Sequence, residues 1–378
     1  MKRNSPSQHI ISYDWILAAC FIALCGIGLY MMMNIASNQN QPTYIRNHII
    51  FLAVSLVSTL IVFKFPNFSK MKWLPMFLII VSIALLVVVL VMGTTTKGST
   101  RAIRFMGIGF QPSFLARVAL IFLFADHFSK KQEALATSDL KGLLKNFYPL
   151  IIITGLIYVL IYVERHLSTI VINAATLLTL TVYAGIRYRY VFTMLLIGVV
   201  AFVAIISFGA EFRSSRIEAY KTYFLLTQSE SAEPNPSDYN VRESITALSR
   251  GGFFGTGVNR GRAKHSYLPE ARTDYIFTVI GEECGFLGAF IVFALHCVLF
   301  FRAFKTANEQ EDMYLKLLCA GLAMNIFYNV LVNTGVAMSI IPSTGNTLPF
   351  ISYGGSALLI DSLSVGVILN IGSKRKTL

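Results

Sequence analysis

Asp274 is the residue of this chain best placed to move a proton. It closes the polar segment Gly251–Phe277, GGFFGTGVNRGRAKHSYLPEARTDYIF, which interrupts a largely hydrocarbon sequence. A carboxylate just ahead of an apolar helix has two readings. It can cap the helix, where free N–H groups and the dipole favour an acid. It can also act as a general base, because partial loss of water makes a carboxylate more basic. Pro269 fixes the backbone ahead of it. Upstream, GGFFGTG is flexible enough to turn its N–H groups toward an anion. Arg260, Arg262 and Lys264 alternate, so an extended segment would point all three to one face. Such a face suits a pyrophosphate, which arginine grips with two donors. A solvated basic loop is the plain alternative.

Other polar residues sit inside apolar stretches. Glu282 and Glu283 in GEECG are adjacent, hence about 100° apart on a helix, so they face different partners. Acids within a span turn to the bundle interior, and a structural ion pair is expected for at least one. Asn325, Asn329 and Asn333 recur every fourth residue and form one stripe. An amide stripe must face other helices, through hydrogen bonds or as the wall of a polar cavity. Pro342–Gly345 and Leu348–Ser356 read as an irregular re-entrant segment, which only protein or water can cover at that depth. Asp361, shortly beyond it, is expected to face the same interior.

These residues must be held by membrane-spanning helices. The 378 residues are 55% hydrophobic and only 13% charged, with a mean hydropathy of +0.62. A water-soluble domain carries about 25% charged residues. The expected class is therefore all-α, a polytopic membrane protein folded as a single integral domain over 1–378. Ten spans are expected, near 13–33, 48–63, 73–92, 113–128, 147–163, 167–186, 191–210, 276–301, 313–340 and 356–372. The first, from Trp15 to Met33, is too long for a cleavable signal. A large loop, 211–275, then separates the seventh and eighth spans.

Most short-loop lysines and arginines fall on one side of this arrangement, which places both termini in the cytoplasm and the large loop outside. Lys97, Arg101 and Arg104 run against that rule in a short outer loop. An anionic ligand at the outer surface would account for them, as would anionic lipid headgroups. The five cysteines lie in apolar runs without metal-ligand spacing and read as buried thiols.

Three stretches carry a resemblance: RAIRFMGIGFQPSFLAR at 101–117, YLPEARTDYIFTVIGEECGFLG at 267–288 and PSTGNTLPFISYGGSALL at 342–359. Together they resemble the SEDS family (FtsW/RodA/SpoVE) of bacterial cell-wall polymerases, with the loop motif GTGVNRGRAK leaning toward FtsW and SpoVE. The resemblance implies ten helices and a large outer loop. It implies a peptidoglycan glycosyltransferase that polymerises lipid II, a disaccharide-pentapeptide on undecaprenyl pyrophosphate. The P-E-x-x-T-D pattern puts the family's essential aspartate on Asp274, and its basic residues fall on Arg104 and Arg117. Substrate-binding candidates are Arg104, Arg117, Arg260, Arg262, Lys264, Glu270, Thr273 and Ser352. The chain departs from the family at Phe105, at Phe114 where an acid is usual, at Arg117 where lysine is usual, at Glu164–Thr169, and at Asp361 where asparagine is usual.

The reading is a lipid-linked glycosyltransferase of the bacterial cytoplasmic membrane with Asp274 as base. A lipid II flippase or transporter, or a catalytically weak scaffold for wall enzymes, are the rivals. No inverted repeat is visible, and the candidate base lies near the surface rather than the midplane, both of which weigh against transport. No Ser-x-x-Lys followed by the other transpeptidase motifs appears, so the resemblance implies a class B penicillin-binding protein as partner. Other wall or division proteins and membrane lipid complete the expected partners, and nucleic acid is not among them. No cofactor is required. A divalent cation at the pyrophosphate is chemically reasonable, but no ligand set can be read.

Overall fold

The structure is a computed structural model that describes residues 13–38, 42–66, 68–96, 99–105, 108–132, 140–193, 195–196, 198, 236–342 and 344–373. The helices whose bounds are described are α1 (Trp15–Asn38), α2 (Pro42–Phe63), α3 (Leu74–Met92), α4 (Pro112–Lys130), α5 (Leu140–Val163), α6 (Leu167–Tyr183), α7 (Pro236–Gly251), α8 (Ile276–Asn308), α9 (Met313–Ala337) and α10 (Gly355–Ser373). Eight of the described helices, all but α6 and α7, are long and apolar enough to cross a membrane. The multi-pass helical expectation therefore holds. The apolar α6 has 17 residues, a rise of about 25 Å against a hydrocarbon core of about 30 Å. Most of the expected seventh span, 191–210, and the first part of the large loop lie outside the described residues. Ends also differ from expectation: α2 starts six residues earlier than residue 48, and α8 runs on to Asn308.

Helix contacts follow the distribution of small and polar residues. α9 carries little exposed surface and packs against α4, α6, α8 and α10. α2 lies along α10. There a Cβ on Gly366 would come within 3.0 Å of the Thr59 carbonyl. Thr59 Oγ1 donates to the Ser362 carbonyl at 2.9 Å. This is the close backbone approach that small residues permit between membrane helices. Ile22, Val57, Ile80 and Ile152 point outward from α1, α2, α3 and α5. Outward apolar faces of this kind suit lipid.

The all-α expectation missed a small sheet between α3 and α4. Strands β1 (Thr94–Thr96), β2 (Ser99–Phe105) and β3 (Ile108–Phe110) form an antiparallel meander, with Arg104 paired to Gly109. Its end is stitched to the start of α10. The Gln111 N–H donates to Ser356 Oγ at 2.9 Å, and that hydroxyl donates to the Gly109 carbonyl at 3.2 Å.

Candidate functional site

Asp274 sits in a turn gripped from behind. The turn Pro269–Tyr275 precedes α8, whose cap position is Tyr275 rather than Asp274 and carries no side-chain capping bond. Three consecutive carbonyls of the turn are each held by a different donor. The Tyr353 N–H reaches the Arg272 carbonyl at 2.8 Å. Ser352 Oγ donates to the Thr273 carbonyl at 2.7 Å, and Asn333 Nδ2 donates to the Asp274 carbonyl at 3.0 Å. Inside the turn, Thr273 Oγ1 donates to Glu270 Oε2 at 3.0 Å, and Glu270 has a φ of 60°. A non-glycine residue holds such a backbone only where its surroundings impose it. Asp274 itself stays half-buried.

The donors come from the re-entrant segment and α9. Ser352 also accepts from the Leu348 N–H at 2.8 Å, and Phe350 has a φ of 65°. Asn333 Nδ2 donates as well to the Asn346 carbonyl at 2.7 Å. Behind the segment, a Cβ on Gly28 of α1 would meet the Phe350 carbonyl at 2.5 Å, so only glycine fits. The Arg272 guanidinium lies 3.7 Å from the centre of the Tyr44 ring, which meets Tyr353 edge-on. Such a cation–π contact adds stability beyond packing.

The glycine-rich loop is docked on α8 rather than extended. Gly285, with φ 68° and ψ −170°, breaks that helix internally. The break frees backbone groups that bond to the loop: Phe286 N–H to the Gly252 carbonyl at 2.9 Å, and Thr256 N–H to the Glu282 carbonyl at 3.0 Å. Gly255, with φ 85°, lies so near that an added Cβ would fall 2.1 Å from the Glu283 carbonyl oxygen. The two acids point apart, as their adjacency predicts. Glu282 accepts the Arg262 and Ala263 N–H groups at 3.0 and 2.9 Å and pairs with Arg250 at 3.1 Å. Glu283 pairs with Lys264 at 2.6 Å, both side chains fully buried. Lys264 Nζ donates further to Asn34 and Asn259 at 2.6 and 2.7 Å.

This corrects the expected single basic face. Ala263–Tyr267 forms a π-helical turn, which buries Lys264 while Arg260 and Arg262 stay exposed. Arg117 is also interior, 1% exposed. Its Nη1 donates to Asn329 Oδ1 at 2.8 Å, and its Nη2 lies 3.4 Å from Asp361 Oδ1. Phe114 packs beneath it, the guanidinium carbon 5.2 Å from the ring centre. Arg104 is carried on β2, and its side chain falls outside the described residues. The structure thus brings Asp274, Thr273, Glu270 and Ser352 together, leaves Arg260 and Arg262 on the loop surface, and commits Arg117 and Lys264 to buried ion pairs. Asn333 and Tyr353 were not among the expected site residues. The every-fourth-residue asparagine stripe was the available signal for Asn333. Among the described residues, no three His, Cys, Asp or Glu side chains converge as metal ligands would.

Comparison with known proteins fits this architecture. Residues 11–377 match the family model FTSW_RODA_SPOVE, described as "Cell cycle protein". A "Probable peptidoglycan glycosyltransferase FtsW" of Geobacter sp. (strain M18) is 30% identical, over 98% of this chain and 99% of the relative. "Stage V sporulation protein E" of Bacillus subtilis (strain 168) is 29% identical over 98% of each. Among solved structures, one chain from "Structural coordination of polymerization and crosslinking by a peptidoglycan synthase complex" superposes with TM-score 0.78. It is 21% identical, with 96% of this chain and 98% of that one covered. The rod shape determining protein RodA of Thermus thermophilus gives TM-score 0.68 at 23% identity, covering 97% and 99%. At these identities the superpositions establish the fold.

Proposed function

Because this chain belongs to the FtsW/RodA/SpoVE family of cell cycle proteins, we propose that it is a peptidoglycan glycosyltransferase that polymerises lipid II at the outer face of the bacterial cytoplasmic membrane, with both termini in the cytoplasm. Relatives along the full length carry the glycosyltransferase name. In the reaction, the 4-hydroxyl of the acceptor sugar gives its proton to the Asp274 carboxylate. The oxygen attacks the anomeric carbon of the donor strand. A carbon–oxygen bond to the acceptor forms as the bond to undecaprenyl pyrophosphate breaks, and the pyrophosphate leaves with the electron pair.

One observation carries Asp274 into this role: donors from three residues hold the consecutive carbonyls of Arg272, Thr273 and Asp274. With its backbone held, a side chain meets substrate in one geometry, and such preorganisation lowers the barrier to reaction. A positioned base contributes about 10²–10⁴-fold. Arg260 and Arg262, exposed on the docked loop, are the proposed partners of the leaving pyrophosphate, joined by Arg104 through its motif. Glu270, Thr273 and Ser352 shape the turn. Arg117 and Lys264 support the scaffold from buried pairs.

A class B penicillin-binding protein is the proposed partner, supplying the crosslinking step. A similar fold occurs in a complex described as coordinating polymerisation and crosslinking. The test is polymerisation of purified lipid II by wild type and Asp274→Asn, each with and without the co-purified transpeptidase. Wild type is expected to build glycan strands and the variant none, with its fold retained. Strands made at the wild-type rate by Asp274→Asn would overturn the assignment.

A further inference from the structure

We infer that Asp361 is a positioning residue for the polymerisation site, acting through Arg117 as a counter-ion that bridges helices. The inference rests on the reading just given for Asp274. A guanidinium that is 1% exposed needs an anion, since an unpaired buried charge is strongly destabilising. Its own helix provides none within a turn: Ser113, Phe114, Leu120 and Ile121 occupy the neighbouring positions of α4. The acid comes instead from α10, where Asp361 is 2% exposed. Asn329 of α9 takes the other end of the fork at 2.8 Å. One side chain of α4 thereby ties α9 to α10.

The tie leads to the site. Asn333 lies one turn from Asn329 on α9 and holds the Asp274 carbonyl at 3.0 Å. Moving Arg117 moves the asparagine rail on which that carbonyl hangs. Phe114 shows where a substitute acid would go. Its ring centre lies 5.2 Å from the guanidinium carbon, and His166 meets the same ring edge-on at 5.6 Å. A glutamate at 114 would reach Arg117 from three residues away on the same helix. An acid placed at 114 would therefore compete with Asp361 for one cation, and this chain draws its acid from another helix.

The experiment uses full-length purified protein as wild type, Asp361→Asn, Phe114→Glu and the double variant. Melting temperature and lipid II polymerisation are measured for each. Asp361→Asn is expected to lower Tm by roughly 5 °C or more and kcat by about 10- to 100-fold, with KM nearly unchanged. Phe114→Glu alone is expected to lower Tm, because two acids then crowd one cation. In the Asp361→Asn background the same change is expected to raise both Tm and kcat. That reversal of sign is what loss of packing would not produce. If Asp361→Asn does not accumulate, accumulation of the double variant as monodisperse protein supports the inference, and its failure overturns it. A double variant no better than Asp361→Asn overturns it too, as does an Asp361→Asn protein with wild-type Tm and kcat. The Tm pattern without polymerisation by any variant refutes the proposed function and leaves the ion pair standing. Polymerisation without the Tm pattern does the reverse.

Discussion

Asp274 draws its backbone geometry from groups that hold the carbonyls of its turn. Ser352 is the clearest case, because its hydroxyl accepts from Leu348 and donates to Thr273 at once. Ser352→Ala strands a donor and an acceptor together, and the turn loses one of its anchors. We expect kcat to fall about tenfold or more with little change in KM, since misplacing a reacting group costs turnover rather than binding. Steady-state kinetics on lipid II checks the split. The Lys264–Glu283 pair poses a different question, one of stability. Glu283→Gln leaves a buried ammonium without its anion, at a cost of about 3–5 kcal/mol. Replacing both by Met and Leu removes the stranded charge, so the double variant should melt above Glu283→Gln in detergent. A double variant that melts lower would show that the pair carries net stability.

At the scale of elements, the break in α8 decides where the loop can rest. An added Cβ on Gly285 would lie 2.3 Å from the Gly255 N, in a backbone region that side chains rarely adopt. Gly285→Ala should therefore undock the loop, abolish polymerisation and leave helix content by circular dichroism almost unaltered. Much of this arrangement was legible in the residues: the re-entrant segment, the inward acids and the asparagine stripe all occur where pattern reasoning put them. The grip on the turn was not, because its donors lie 59 and 79 positions away in the chain. Lys264 misled for a related reason. Alternation with Arg260 and Arg262 argued for one face, but its counter-ion lies beyond the turn, on a helix whose break allows the loop to fold back. The β-meander escaped notice because its strands of three to seven residues are too short for a clear period-two signal.

Across the whole molecule, the site depends on helices far apart in sequence. The first packs glycine against the re-entrant segment, and α2 runs along α10 through Thr59 and Gly366. Gly366→Leu would drive the pair apart and with it the start of α10, to which β3 is stitched. We expect a lower melting temperature and a lower polymerisation rate together, in contrast to Ser352→Ala, which should separate them. Thermal unfolding followed beside activity distinguishes the two behaviours. Apolar faces turned outward from α1, α2, α3 and α5 explain why composition announced a membrane protein so plainly. Hydropathy could not give the packing order, since a lipid-facing leucine and a core leucine read alike.

The docking of Lys264 against Glu283 has a consequence for how the chain is made. The lysine is synthesised nineteen residues before its partner, and Glu283 lies well inside α8. Until α8 is in place, the ammonium lacks the Glu283 carboxylate that it pairs with in the folded protein. Its burial is thus a late event that follows insertion of a later helix, so the loop is fastened retrospectively. A released chain that ends before Glu282 should leave Lys264 open to an amine-reactive label that the completed protein excludes. The ordered loop would then mark chains in which α8 has arrived, a built-in record of completed insertion.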